Sequence, residues 1–217
     1  MVRGLKPTNC DSSAVKSRNN HCDTAALPID ARVRAHASQH EASRSLFGTA
    51  RGRVLDVACG LGLNRLYLPE TVEYVGVDVS PAMLARAERR FEGLERGDTL
   101  REMDAQDLAF PDDSFDTVIS SLSTCTVPDP VAALREMARV CRPDGRILLV
   151  EHGRSDVGAI ARFQDWRADA HYRAEGWRWN QEPLELVDRA GLSVRGITTG
   201  LLGIVTAIEA TPPGGDG

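Results

Sequence analysis

The run Val54-Leu55-Asp56-Val57-Ala58-Cys59-Gly60-Leu61-Gly62-Leu63-Asn64 constrains this chain more than any other stretch. It reads as a buried strand carrying one acid, then a glycine-rich turn, then a helix. Gly60 and Gly62 let the backbone turn tightly and pass close to a ligand. The helix that follows offers backbone N–H groups with no partner inside the helix. This is the layout at the first strand of a doubly wound α/β domain, where ligands bind beyond the carboxyl ends of the strands. A second strand, Tyr74-Val75-Gly76-Val77-Asp78, ends in another acid 22 residues after Asp56.

The rest of the chain alternates in the same way. Strands are expected at 53–58, 72–78, 99–103, 115–121 and 145–151, each rich in branched or aromatic residues. Helices are expected near 63–69, 81–92, 129–141, 157–173 and 182–190. Ser80-Pro81 and Asp129-Pro130 each pair an N-cap residue with a proline suited to the first helical turn. Pro143-Asp144-Gly145 is a turn feeding the fifth strand, and Gly191 is a helix stop. Two further strands, 193–198 and 203–210, form a hairpin that puts an antiparallel edge on a mostly parallel sheet. One domain accounts for the 217 residues. A polar leader spans 1–27 and a single body 28–211: an N-terminal helical flap (28–50), a ligand-binding core (51–155), and further helices with the hairpin (156–211).

Charge and cysteine content narrow the partners. The formal net charge is −5, which gives no general affinity for nucleic acid or an anionic membrane. No apolar run approaches the ~18 residues of a membrane span. The five cysteines include no CxxC pair, and no signal-like apolar segment opens the chain, so a reduced, cytoplasmic protein is expected. Cys10, His21 and Cys22 match no zinc spacing, and no metal site is expected. His36 and His40 share one helix face, read as a solvated one.

The pattern at the turn favours an adenosyl ligand over a dinucleotide. A nicotinamide fingerprint wants G-x-G-x-x-G, whereas Gly60-Leu61-Gly62-Leu63-Asn64-Arg65 lacks the third glycine. An acid ahead of the turn suits a sulfonium or ammonium better than a pyrophosphate. Asp78 is placed to accept ribose hydroxyls. Met103-Asp104-Ala105-Gln106-Asp107-Leu108, after the third strand, puts a further acid where it can meet the adenine amino group.

With these motifs the chain resembles the class I S-adenosylmethionine-dependent methyltransferases, well over 50–155 and more loosely in the tail. The Cys59–Asn64 turn, Thr124-Cys125-Thr126-Val127-Pro128-Asp129-Pro130, and Glu151-His152-Gly153 are similar to a subgroup of thiol S- and phospholipid amine methyltransferases. The resemblance implies a seven-stranded Rossmann-like sheet and S-adenosyl-L-methionine as cofactor. Asp56, Ala58, Gly60, Gly62 and Asn64 would surround its methionine part. Asp78 would take the ribose, with Val79 and Met83 close to the adenine. Asp104, Ala105 and Gln106 would contact the adenine, and Ser121 and Ser123 would lie near the methyl group. Ala58 departs from the glycine that many members carry there.

The acceptor side is read from composition. All three tryptophans of the chain fall within 166–179. Phe163 and Trp166 share a helix face, and Trp177 and Trp179 sit in a loop with Asn180, where large apolar groups suit an acceptor wall or a cationic ligand; Trp166, Trp177, Trp179 and Asn180 are expected to line the acceptor. His152, at the end of strand five, and His171 are the candidate bases; Asp165 is read as solvated. Cys125 lies near the expected methyl position and is read mainly as a packed side chain lining the acceptor. Transfer to a small-molecule thiol or amine of specialised metabolism is the function expected. A non-catalytic S-adenosylmethionine-binding scaffold and a nicotinamide oxidoreductase stay open as alternatives.

Overall fold

The protein is described by a computed structural model covering residues 29–91 and 99–214. The polar leader with Cys10, His21 and Cys22, together with the His36 side chain, lies outside the described residues. In chain order the elements are α1 (Ile29–Phe47), β1 (Arg53–Val57), a 3-10 turn (Leu63–Tyr67), β2 (Glu73–Asp78), α2 (Pro81–Phe91) and β3 (Thr99–Glu102). There follow β4 (Phe115–Ser121), α3 (Pro130–Val140), β5 (Cys141–His152), α4 (Gly158–Glu175), α5 (Pro183–Ala190), β6 (Ser193–Gly200) and β7 (Val205–Thr211). The sheet order is β3-β2-β1-β4-β5-β7-β6. The first five strands run parallel, and β7 pairs antiparallel with both β5 and β6. The expected hairpin is thus the antiparallel edge, with β7 folded inward between β5 and β6.

Chain reversal after β1 lies between β1's two neighbours. β1 pairs with β2 on one side and β4 on the other. Their carboxyl ends open a crevice at that switch point, the place where open α/β sheets take ligands. Both faces are covered, so the strands read as apolar runs. One face buries Leu55, Val75, Val118 and Leu149 against Leu134 and Met137 of α3 and Val187 of α5. The other buries Val54, Tyr74, Ile119, Leu148 and Val150 beneath Phe47 at the end of α1.

The helix caps follow the sequence. Asp129 accepts from Val131 N (3.1 Å) and Ala132 N (3.0 Å), closing the start of α3. Gly191, at φ 82°, ends α5 in the left-handed conformation. Two local expectations change. The helix expected over 63–69 is only a 3-10 turn, because Asn64 and Arg65 are drawn into the interior and Pro69 follows at once. The turn at Pro143-Asp144-Gly145 lies inside β5, as an irregularity in its pairing with β4 between Phe115/Cys141 and Thr117/Arg146.

Candidate active site

The glycine turn is built from left-handed backbone. Ala58, Gly60 and Gly62 have φ of 56°, 53° and 68°. For Ala58 that conformation costs about 1–2 kcal/mol relative to glycine's freedom. A Cβ at Gly60 would meet nothing within 4 Å, so the turn's flank beside the strand ends is open. Val79, directly after β2, is 58% exposed, and Leu66 in the 3-10 turn is 65% exposed.

Asp56 and Asp78 sit at adjacent strand ends but do different things. Asp56 is fully enclosed. Its carboxyl accepts from Asn64 Nδ2 (3.0 Å) and from the Tyr74 hydroxyl (2.8 Å). Burial pushes it up to about 7, against the pull of those two donors. Asn64 Oδ1 in turn accepts from Ser121 Oγ (2.9 Å), so Asp56 reaches the crevice through a chain ending at β4. Asp78 faces the turn directly. Its carboxylate accepts from Gly60 N (2.9 Å) and Ser80 N (2.8 Å). Burial raises it, and those N–H groups oppose the rise.

The third strand end carries Asp104, which accepts from Gln106 N (2.9 Å) and Gln106 Nε2 (3.0 Å). Gln106 Oε1 accepts from Asp129 N (3.0 Å), tying this turn to the head of α3. Ala105 is buried beneath it, and Met83, in the first turn of α2, is half-buried. The candidate cofactor residues of β1, β2 and β4 are thus brought together, and the Asp104 turn extends the same edge along the sheet.

Sequence reasoning missed Glu151, the last buried residue of β5. It is fully enclosed, yet Oε1 accepts from Ser123 N (3.2 Å) and Ser123 Oγ (3.3 Å), and Oε2 from Thr124 Oγ1 (2.9 Å). Burial pushes its pKa up to about 7. It clamps the segment after β4, where Leu122 is held at φ 52°. The signal was one acid closing the apolar run Ile147-Leu148-Leu149-Val150.

Where the sequence led us to expect the acceptor, four rings converge. Trp177 meets His152 and His171 edge-on, with centroids 4.6 and 4.4 Å apart. His171 stacks flat on Trp179 at 4.3 Å. Cys125 packs with both tryptophans, and its carbonyl accepts from Arg178 N (3.2 Å). Gln164 of α4, also missed, holds this loop: Nε2 donates to the Trp179 and Gly153 carbonyls, and its own carbonyl O accepts from Trp179 Nε1. His152 Nε2, His171 Nε2 and Trp177 Nε1 are buried without a hydrogen-bond partner among the described residues. Burial, with the nearby His171, lowers His152 to about 4, and burial lowers His171 as well. Both rings are therefore neutral at physiological pH.

Trp166 does not join this wall. It is 76% exposed on α4, against Phe163. Asn180 also faces elsewhere: it donates to Asp165 (3.2 Å), which is paired with Arg154. These three residues, with Pro128 and Glu185, border a polar groove of about 600 Å³ beside the ring cluster.

A family model described as "Methyltransferase domain" matches residues 55–149. A phosphatidylethanolamine N-methyltransferase of Cereibacter sphaeroides is 40% identical over 161 residues, covering 68% of this chain and 77% of that protein. The chain belongs to the class I S-adenosylmethionine-dependent methyltransferase family. A demethylmenaquinone methyltransferase of Clavibacter sepedonicus is 36% identical over 124 residues, covering 57% of this chain and 50% of that protein. Among solved structures, the [4+2]-cyclase SpnF superposes with a TM-score of 0.65 at 20% identity, covering 82% of each chain. That last likeness is one of fold, and a fold carries more than one chemistry.

Proposed function

We propose that this methyltransferase binds S-adenosyl-L-methionine across the carboxyl ends of β1, β2 and β4 and passes its methyl group to a small-molecule amine or thiol. The observation that carries the reading is the Asp78 carboxylate, fixed at the end of β2 by Gly60 N and Ser80 N. Each carboxylate oxygen keeps a second lone pair, so Asp78 can accept ribose hydroxyls without releasing the turn. Asp104 stands in the same way toward an adenine amino group. Ala58, Gly60 and Gly62 bring backbone close to the methionine part, and Val79 and Met83 give the adenine an apolar bed. Arg65 fills the place of the third glycine and is buried, which speaks against a pyrophosphate and a nicotinamide reading.

When bound, this cofactor supplies a methyl group on a cationic sulfur, open to in-line attack. The chain's task is then alignment and exclusion of water. Glu151 holds Ser123 and Thr124 against the end of β4. His152 and His171, both neutral, offer Nε2 atoms that can take a hydrogen bond, and finally a proton, from the attacking group. Trp177 and Trp179 suit a partly cationic acceptor. The phosphatidylethanolamine N-methyltransferase relative favours an amine over a thiol.

The test is calorimetry with S-adenosylhomocysteine, then methyl-labelled cofactor with a panel of amines, including lipid amines, and thiols. Asp78→Ala is expected to weaken cofactor binding about tenfold to a hundredfold, the range for losing charge-assisted hydrogen bonds. Unchanged affinity in that variant would remove the assignment. Binding without turnover on any acceptor would favour a non-catalytic scaffold.

A further inference from the structure

α4 buries Ala161, Gln164, Ala168 and His171 toward the body of the protein. On a helix of about 3.6 residues per turn, the opposite side carries Arg162, Phe163, Trp166, Asp169, Ala170 and Arg173, with Arg167 exposed on its flank. Trp166 is 76% exposed and Phe163 51%. Their rings lie together, with centroids 6.0 Å apart. The Arg167 guanidinium lies over the Trp166 ring at 5.7 Å. Among the described residues Arg162, Arg167 and Arg173 form no ion pair. Of the helix's carboxylates, Asp165 is turned to Arg154 (3.0 Å) and Glu175 falls toward the other side, while Asp169, three residues after Trp166, shares the exposed face as one acid against three arginines.

This exposed face is thus aromatic and cationic in a protein whose net charge is −5. A tryptophan left open beside unpaired arginines forgoes the usual gain of burying an indole, so its apolar surface is free for an external partner. The chemistry that matches both features is the interface of an anionic bilayer. Indole and phenyl rings settle at the headgroup level, while arginine stems lie along apolar surface and place their charges at lipid phosphates. The location is also apt: Phe163 touches Trp179, at 5.9 Å between centroids, and Trp179 stacks on His171 of the ring cluster.

We propose that α4 docks this protein reversibly onto anionic membrane surfaces through Phe163 and Trp166, with Arg162, Arg167 and Arg173 as the electrostatic partners. The proposal does not depend on the cofactor assignment, because docking can be read without turnover. The experiment is sedimentation of the full chain with phosphatidylcholine vesicles, with and without phosphatidylglycerol, alongside tryptophan emission. Sedimentation is expected with the anionic vesicles, weaker at raised salt, with a blue shift that Trp166→Phe abolishes, since Trp177 and Trp179 are already buried. Phe163→Ser with Trp166→Ser is expected to lower the bound fraction about tenfold, and Arg162→Gln with Arg167→Gln to remove the preference for anionic lipid. Unfolding curves that match the parent show that the variants are folded. No sedimentation with either vesicle, or variants that sediment like the parent, overturns the proposal. Protection of Trp166 from acrylamide in the lipid-free chain would overturn it too, by showing that another segment or a second copy covers this face.

Discussion

The two sides of the active site solve opposite problems. Around the glycine turn, the acidic groups are answered: Asp56 by Asn64 and Tyr74, Asp78 by Gly60 and Ser80, Asp104 by Gln106. Around Trp177 three buried polar atoms, His152 Nε2, His171 Nε2 and Trp177 Nε1, have no partner. A buried polar atom without a hydrogen bond costs about 1–3 kcal/mol. The glycine-turn side, proposed to hold the cofactor, is therefore a frame whose acids already have hydrogen-bond partners within the chain. The ring side carries unspent hydrogen-bonding capacity, the usual mark of a place where something else binds or reacts.

The comparison can be broken at its strongest point first. Glu151→Ala removes the acceptor for Ser123 and Thr124 and leaves those donors buried. A loss of roughly 3 kcal/mol or more is expected in urea unfolding, with Glu151→Gln costing much less. A loss under about 1 kcal/mol would mean the clamp is not part of the frame. On the ring side, His152→Phe is expected to behave in the reverse way. Stability should hold or rise slightly, because an orphaned nitrogen is replaced by an apolar edge, while kcat falls about a hundredfold if the ring takes the acceptor's proton. Equal losses of stability and activity would make His152 a packing residue instead.

The buried acids give a pH signature opposite in sign to that of the ring side, where the lowered His152 and His171 make stability rise with pH toward the ordinary histidine range. Asp56 and Glu151 rise from 3.8 and 4.5 in the unfolded chain to about 7 in the native one. Between about pH 4 and 7 the native state thus binds more protons than the unfolded state, and stability falls as pH rises through that window. The shift favours the protonated native form, so this contribution is whole below pH 4 and lost above pH 7. Asp56→Asn and Glu151→Gln should gain on the parent across the window, by chemical denaturation at pH 5 and pH 8. A parallel pH profile for parent and variants would contradict the raised values. The smallest effect is expected at Ala58, held at φ 56°. Ala58→Gly should stabilise by up to about 1 kcal/mol, since relief of the left-handed strain outweighs the added freedom of the unfolded chain. A destabilised variant would show that the Ala58 methyl packs usefully.

The same contrast explains what could be read beforehand. The strands, their order along the chain and the acids at their ends are local patterns: a buried strand must be apolar, a tight turn must be left-handed, a helix start wants a capping side chain. Residues 53–60 and 73–80 therefore announced their structure, and Asp129-Pro130 announced α3. The 3-10 turn escaped because Asn64 is turned inward by Asp56, a partner eight residues back whose demand is invisible in helix propensity. Glu151 escaped because one acid at the end of an apolar strand has no signature of its own until Ser123 and Thr124 are seen to fold beneath it.

By itself, then, the sequence determined the doubly wound sheet, the glycine turn and the positions of Asp78 and Asp104, because each follows from residues close in the chain. Only the tertiary structure decided which tryptophans work together. Trp177 and Trp179 are buried with His152, His171 and Cys125, although they sit in a loop; Trp166 stands open, although it sits on a helix. The physical reason is that burial is set by what faces a side chain across the fold. For Trp177 that is the end of β5 and the loop after β4, brought together by strand pairing. For Trp166 the described chain brings only Phe163 and Arg167, both on the same helix.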